Sequence, residues 1–155
     1  MWAPWRMEYI KKSKKEKGCL FCKKAKGKKD QKNYVLYRSK KSYCIMNLYP
    51  YNSGHLMIAP YRHVGSINGL ADEEMCDMLL VAKKGVAALK KAFKPEGFNI
   101  GMNIGKVAGA GVVGHLHVHI VPRWKGDTNF MPVLADAKLV SESLDETYAA
   151  LKKYV

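Results

Sequence analysis

The sequence has few acidic residues and no long apolar run. Of its 155 residues, 13 are Asp or Glu and 27 are Lys or Arg, which gives a formal net charge of +14. No window approaches the roughly 18 uninterrupted apolar residues that a membrane-spanning helix needs, so we expect no transmembrane protein. The first residues, MWAPWRMEYIKK, also lack the apolar stretch of a secretory signal. We therefore expect a cytoplasmic protein.

Arginine is scarce, and lysine is concentrated in one part of the chain. Only four of the 27 basic residues are Arg, which disfavours bidentate recognition of phosphates or bases. Residues 1–50 hold 15 basic and 3 acidic residues, a net charge of +12, and the lysines are densest over residues 11–33. This lysine-rich segment is either a solvated surface or a positive rim that attracts a polyanion. Nucleic acid stays open as a partner but is not favoured.

No repeat or domain boundary is visible, and the length fits a single domain over residues 1–155. Apolar and aromatic runs predict strands over residues 34–38, 42–47, 55–60, 98–102 and 115–121. Helical periodicity predicts one long helix before Pro95, and a short C-terminal helix is expected near residues 142–154. The core face of the long helix is predicted from Met75, Met78, Leu79, Ala82, Val86, Leu89 and Phe93. This order predicts an α+β domain built on a mainly antiparallel five-stranded sheet.

Cysteine is used sparingly, in one pair and two isolated positions. Cys19 and Cys22 have the C-x-x-C spacing that allows two thiolates to bind one tetrahedral metal ion. Two ligands are half a site, so a redox pair and free thiols remain alternatives. Cys44 and Cys76 are predicted to be buried and to act as small hydrophobic residues.

Three of the five histidines alternate within five residues, at His115, His117 and His119. On a strand these side chains project from one face, spaced by about 6.6 Å. Two functions fit this pattern. The three imidazoles bind a catalytic metal, or one of them attacks phosphorus while its neighbours orient it and bind phosphate oxygens.

Residues 115–121, HLHVHIV, match the signature His-φ-His-φ-His-φ-φ, where φ is apolar, and the chain resembles the histidine triad hydrolases and transferases. The resemblance includes CLFC at 19–22, the strand ending at Asn47, GHLMIAP at 54–60 and His63. The segments WAPWRMEYI and GDTNFMPV resemble the bacterial and archaeal branch that includes diadenosine tetraphosphate phosphorylase-like proteins. The family implies a HIT-like fold, a nucleotide substrate, here a dinucleoside polyphosphate, and a homodimer with a sheet continuous across the interface.

The resemblance also implies roles for the triad. His117 would attack the α-phosphorus and form a covalent nucleotidyl-histidine, His119 would bind phosphate oxygens and assist the leaving group, and His115 would support the local geometry. In zinc-containing members the first triad histidine is itself a ligand. The corresponding set is Cys19, Cys22, His63 and His115, a closed Cys₂His₂ site that implies structural zinc. No organic cofactor is expected.

Substrate-binding residues follow from the same resemblance. Asn47 matches a ribose-binding position, and Asn103 and Gly111 fall where the chain wraps the phosphates. His55 matches a position that lines the pocket, and a packed core histidine is the equal alternative there. The loop departs from the family pattern, because residues 110–114 read AGVVG where many members have Gly-Gln-Ser/Thr-Val. Contacts to phosphate must then come from the backbone, from Lys106, or not at all.

The preferred prediction is an enzyme that cleaves at the α-phosphate of a dinucleoside polyphosphate. Phosphorylase, hydrolase, adenosine phosphoramidase and deadenylase activities use the same triad, so the natural acceptor and leaving group stay open. A non-catalytic, zinc-stabilised module that binds nucleotides or nucleic acid is the alternative from another class, and the altered loop favours it. A metal-dependent hydrolase is the third interpretation.

Overall fold

The computed structural model describes residues 18–127 and 143–155, which form one five-stranded sheet with flanking helices. The strands are β1 (Val35–Arg38), β2 (Ser42–Met46), β3 (Leu56–Pro60), β4 (Gly97–Met102) and β5 (Val118–Arg123). Their order is β1-β2-β3-β5-β4, and every neighbouring pair is antiparallel. The helices are α1 (Leu20–Lys26), α2 (Asp30–Asn33), α3 (Asp72–Phe93) and α4 (Leu144–Lys152), with a 3₁₀ turn at Ile67–Gly69. The predicted α+β class, five-stranded antiparallel sheet, long helix and C-terminal helix are confirmed.

Three predicted features fall wholly or partly outside these residues. The segment 2–10, residues 11–17 of the lysine-rich segment and most of GDTNFMPV lie outside the described part of the chain. Across residues 18–127 and 143–155, no helix combines the length and apolar character that crossing a bilayer requires.

Helix α3 covers one face of the sheet. Acidic residues occupy its first turn and Lys90 and Lys91 its last, which matches the helix dipole. Its buried positions are Glu74, Met78, Val81, Ala82, Gly85, Ala88 and Leu89. At Gly85 a Cβ would lie 3.3 Å from a Leu56 methyl group, so the missing side chain permits the close approach of helix and sheet.

The predicted core face of α3 is wrong in part. Leu79 is 60% exposed, whereas Val81 and Ala88 are buried. Cys76 is exposed too, against the prediction, and only Cys44 is buried as expected. The reason is geometric. The small residues of α3 face the twisted sheet, which rotates the helix so that Cys76 and Leu79 turn away from it.

The opposite face of the sheet carries a second apolar cluster. Its members are Phe21, Val35, Tyr43, Ile45, Met57 and Ala59. Alternate residues of β2 thus enter different cores, because side chains along a strand point to opposite faces. Phe21 reaches this cluster from α1, and its main-chain oxygen accepts a hydrogen bond of 2.8 Å from the Tyr43 hydroxyl.

Helix α1 lies inside the lysine-rich segment, where only a solvated surface or a positive rim was expected. The Arg38 guanidinium holds its C-terminal end by donating to the carbonyl oxygens of Ala25, at 2.8 Å, and Gly27, at 2.7 Å. The same group pairs with Asp30. Seven residues make a helix that is marginal by itself. These tertiary contacts therefore stabilise α1 on the sheet.

Candidate active site and metal centre

Four predicted ligands from three distant parts of the chain converge. The ligand atoms of Cys19, Cys22, His63 and His115 all lie within 4.8 Å of one another. The Cys19 sulfur is 3.3 Å from Nδ1 of His115, and the Cys22 sulfur is 3.4 Å from Nδ1 of His63. Cys19 immediately precedes α1 and Cys22 lies within it, so a helix start, and not only a turn, presents the two sulfurs.

This donor set fits a tetrahedral metal ion. Zinc bonds of about 2.0–2.3 Å place neighbouring ligands roughly 3.3–3.8 Å apart, close to the separations observed. Nε2 of His115 lies 2.9 Å from the carbonyl oxygen of Pro60, and it must donate because a carbonyl only accepts. Nδ1 therefore carries the lone pair that faces the cysteines. Burial and the contact with Cys19 raise the pKa of the Cys22 thiol, and a bound cation would favour the thiolate instead.

We call these four residues the metal cluster. A cleft of about 330 Å³ lies beside it, between α1, the ends of β2 and β3, and the glycine-rich loop of residues 105–114. Both His117 and His119 line it. The other lining residues are Gly18, Cys19, Leu20, Phe21, Lys24, Ile45, Met46, Asn47, Leu48, Tyr49, Met57, Gly109, Gly111 and Val112. His115 is not among them, and its ring contacts the cysteines instead.

The His117 ring is held in one tautomer. Its Nδ1 lies 2.8 Å from the main-chain oxygen of His115, so Nδ1 carries the proton and Nε2 the lone pair. Burial lowers the pKa of His117, which favours the neutral ring. The ring also packs against Phe21, with ring centroids 4.6 Å apart, and against His119 at 4.8 Å. A neutral imidazole with a lone pair on Nε2 is a competent nucleophile.

His119 is oriented through a chain of hydrogen bonds. The Tyr51 main-chain N–H donates to Nδ1 of His55 over 3.0 Å, so His55 carries its proton on Nε2. That proton is donated to Nδ1 of His119 over 2.9 Å. His119 in its neutral form then holds its own proton on Nε2 and can donate a hydrogen bond from there to a phosphate oxygen.

The remaining predicted substrate contacts divide into two groups. Asn47 and Gly111 line the cleft, and the Asn47 side-chain oxygen also accepts from the Tyr49 main-chain N–H at 2.9 Å. His55 does not line the cleft, because it is buried behind His119 and stacked on Tyr51. Asn103 does not line it either, and its side chain contacts the Gly109 carbonyl at 3.5 Å.

The three triad imidazoles do not share one open surface, contrary to the expectation from strand alternation. β5 begins only at Val118, so His115 and His117 precede the regular strand. His115 contacts the cysteines, whereas His117 and His119 line the cleft. In the described residues, the metal-ligand grouping excludes His117 and His119, which disfavours a catalytic metal held by all three histidines.

The sequence analysis missed two residues that contact the histidines of the site. Phe21 lies between the two cysteines and packs on both His115 and His117, and its place inside C-x-x-C was the available signal. Tyr51 contributes through its main chain, for which the residue type carries no signal.

Comparisons with known proteins agree with this geometry. The HIT domain model matches residues 28–126. AP-4-A phosphorylase of Mycobacterium tuberculosis is 42% identical over 76% of this chain, which spans 60% of that relative's length. Adenosine 5'-monophosphoramidase of Schizosaccharomyces pombe is 33% identical over 68% of this chain and 74% of its own. The crystal structure of a zinc-bound histidine triad family protein from Mycobacterium smegmatis superposes with a TM-score of 0.72 and 25% identity, covering 88% of this chain and 92% of that one. Since the family model covers well over half of the residues, the chain belongs to the histidine triad, or HIT, family.

Proposed function

We propose that this protein is a nucleotidyl hydrolase or transferase that cleaves a dinucleoside polyphosphate at an α-phosphate. The observation that carries the proposal is the His117 ring. It lines the cleft with its proton held on Nδ1 by the His115 carbonyl, which places the lone pair on Nε2. The phosphorylase named among the relatives favours a diadenosine tetraphosphate-like substrate.

In the first step, Nε2 of His117 attacks the α-phosphorus. A phosphorus–nitrogen bond forms, and the bond from that phosphorus to the bridging oxygen of the leaving group breaks. The departing oxygen leaves as a phosphate anion and accepts a hydrogen bond from Nε2 of His119, a role that the orientation of His119 through His55 suits. The result is a nucleotidyl-histidine and a nucleoside oligophosphate.

In the second step, an acceptor discharges the intermediate. Water or orthophosphate attacks the same phosphorus, the acceptor's proton passes to solvent, and the phosphorus–nitrogen bond breaks, which returns the His117 ring to its neutral form. Water yields a nucleoside monophosphate, whereas orthophosphate yields a diphosphate. The phosphorus remains pentavalent throughout, and no oxidant or reductant is needed.

The cleft suits one nucleoside with its phosphates. Leu48, Ile45 and Met57 provide apolar surface for a base, and Asn47 can accept from ribose hydroxyls. In the loop, Gly109 and Gly111 line the cleft without side-chain donors. We propose that main-chain N–H groups of this loop contact phosphate in place of the Gln and Ser/Thr of other members.

Product analysis tests the reaction. The protein is incubated with diadenosine tetraphosphate, with and without orthophosphate, beside His117→Ala. ADP and ATP formed only with phosphate identify a phosphorylase, and AMP and ATP formed regardless of phosphate identify a hydrolase. Trapping of a phosphorus–nitrogen adduct on His117 by mass spectrometry supports the intermediate. Equal turnover by His117→Ala would refute it.

A second candidate uses the same site. The phosphoramidase among the relatives favours hydrolysis of an adenosine phosphoramidate, in which the leaving group is an amine. The ratio of kcat/KM for the phosphoramidate and for the dinucleotide decides between the two substrates. Binding of AMP without turnover of either substrate would instead support the non-catalytic module.

We also propose that the metal cluster holds a structural zinc ion and that the protein is a homodimer. A four-ligand zinc would cross-link α1 to the chain before β5 and leave no position open for substrate.

Support for a dimer lies at the edge of the sheet. Among the described strands, β4 pairs on one side only, and Ile100 on it is 52% exposed. Pairing of β4 with a second copy would continue the sheet and cover this edge. Zinc analysis and the solution mass test these two points.

A further inference from the structure

Direct contacts through His115 and Phe21 connect the metal cluster to His117, the proposed nucleophile. His115 offers Nδ1 to the cysteines, and its own main-chain oxygen accepts the Nδ1 proton of His117 over 2.8 Å. One residue thus serves the metal cluster with its side chain and the nucleophile with its main chain. Movement of His115 would release the hydrogen bond that determines the His117 tautomer.

Phe21 provides the second connection. It lies between Cys19 and Cys22 in the chain and is 1% exposed. Its ring centroid lies 5.2 Å from that of His115 and 4.6 Å from that of His117. Its main chain is held by the Tyr43 hydroxyl, so the ring stays over the imidazole as long as the start of α1 stays in place.

We propose that the Cys19/Cys22/His63/His115 centre, when it holds its metal ion, positions the His117 imidazole for attack, with Phe21 as the positioning residue. The proposal rests on the proposed function and extends it, because it gives the metal a role in reactivity as well as in stability. A ring that rotates or exchanges tautomers no longer points its lone pair at phosphorus. A displacement on the order of 1 Å can cost about 10²-fold in rate.

His63 offers the sharpest test of the metal, since it is exposed and does not line the cleft. His63→Ala removes one ligand, and His63→Cys replaces it with another that zinc accepts. We expect His63→Ala, which removes a direct ligand, to lower zinc affinity by more than the roughly 10–100-fold that loss of an outer-shell partner costs. We also expect its ¹⁵N ring spectrum to show His117 as a mixture of tautomers, and single-turnover adduct formation to fall more than about tenfold. His63→Cys should restore the zinc affinity, the single His117 tautomer and the rate of adduct formation.

The experiment is made well below the unfolding temperature of each variant, with circular dichroism as the check on folding. A His63→Ala variant that loses zinc but keeps one His117 tautomer and the full single-turnover rate would overturn the proposal. The metal would then stabilise the fold alone.

Phe21→Leu tests the ring without touching a ligand, and Val35→Ala is the control in the same apolar cluster, outside the cleft. We expect Phe21→Leu to retain zinc affinity while kcat falls about tenfold and KM stays nearly constant. Val35→Ala should lower stability with kcat unchanged. A rise in KM alone would make Phe21 a substrate contact, and unchanged kinetics would leave it no role. Either result overturns the positioning role.

Failure of the proposed function is distinguishable from failure of this proposal. If the wild-type protein forms no adduct with the dinucleotide, the proposed function fails. The zinc titration and the tautomer spectrum of His63→Ala still report whether the metal centre controls the His117 ring.

Discussion

The metal cluster and the cleft use neighbouring histidines in opposite ways. In the cluster, His115 is fully buried and both of its ring nitrogens have fixed partners, a carbonyl oxygen and the cysteine sulfurs. In the cleft, His117 has a hydrogen-bond partner among the described residues only at Nδ1, and it lines the space where substrate would bind. Two residues of separation therefore distinguish an immobilised imidazole from the one that we propose as the nucleophile. What separates the two roles is the number of ring nitrogens that the fold already occupies.

The largest expected effect comes from replacing the reactive ring. In His117→Asn, the side-chain amide can still donate to the His115 carbonyl, but no nucleophile remains. We expect turnover to fall by at least about 10³-fold, while zinc content and the unfolding temperature change little. Steady-state kinetics and calorimetry measure both. A variant that retained a tenth of the wild-type activity would show that the cleft does not work through this ring.

Replacing a cysteine of the metal cluster should instead lower the stability of the protein. Cys22→Ser removes one thiolate, and we expect it to lower the free energy of unfolding by about 3–4 kcal/mol when zinc is present at 100–1,000 times its dissociation constant. Denaturation with and without a chelator measures this. The chelator should destabilise the wild type and leave Cys22→Ser nearly unaffected. Equal stability of the wild type in both conditions would argue against a bound metal.

The hydrogen-bond chain behind His119 allows a third test. His55→Phe keeps an aromatic ring beside Tyr51 but removes the donor to His119. We expect kcat to fall by about 10–100-fold with little change in KM, because the chain of hydrogen bonds orients the Nε2 donor of His119 and does not bind substrate. Tyr51→Phe is the matched control, since it preserves the ring and the main-chain N–H. A loss of kcat in the control would assign part of the effect to the Tyr51 hydroxyl, and an unchanged kcat in His55→Phe would show that the donated proton does not orient His119.

The smallest effect concerns the approach of the substrate. If the lysine-rich segment steers a polyanion, kcat/KM should fall several-fold when the ionic strength rises from about 0.05 M to about 0.3 M, with kcat unchanged. The measurement is repeated with the less charged phosphoramidate, for which the decrease should be smaller. Values of kcat/KM that do not respond to salt would mean that these lysines form only a solvated surface.

Local patterns predicted most of the architecture because they report burial directly. The apolar and aromatic run at residues 42–47 and the spacing of apolar residues between 75 and 93 indicated a strand and a helix, and both elements are present. The predictions from local patterns failed where packing against another surface determines which side of an element is buried or whether the element forms. Leu79 fits the helical stripe but turns to solvent, and α1 was hidden because it is short and three of its seven residues are lysines.

The site shows the same division. The C-x-x-C pair, His63 and the triad could be chosen by their resemblance to family members, and the structure brings the four ligands together. His55 was predicted equally in the pocket or in the core, and its place behind His119 depends on how β3 pairs with β5, where Met57 lies opposite His119. No local pattern encodes that register.

The sequence by itself determined the chemistry that is available: three alternating imidazoles, two closely spaced thiols, a glycine-rich loop and a basic N-terminal half. Tertiary structure alone decided which imidazole binds the cysteines and which ring lines the cleft. Residues as far apart as Cys19 and His115 meet only when α1 packs on the sheet. The tautomers of His115 and His117 are then set by the carbonyl oxygens that this packing places beside them, and a carbonyl can only accept.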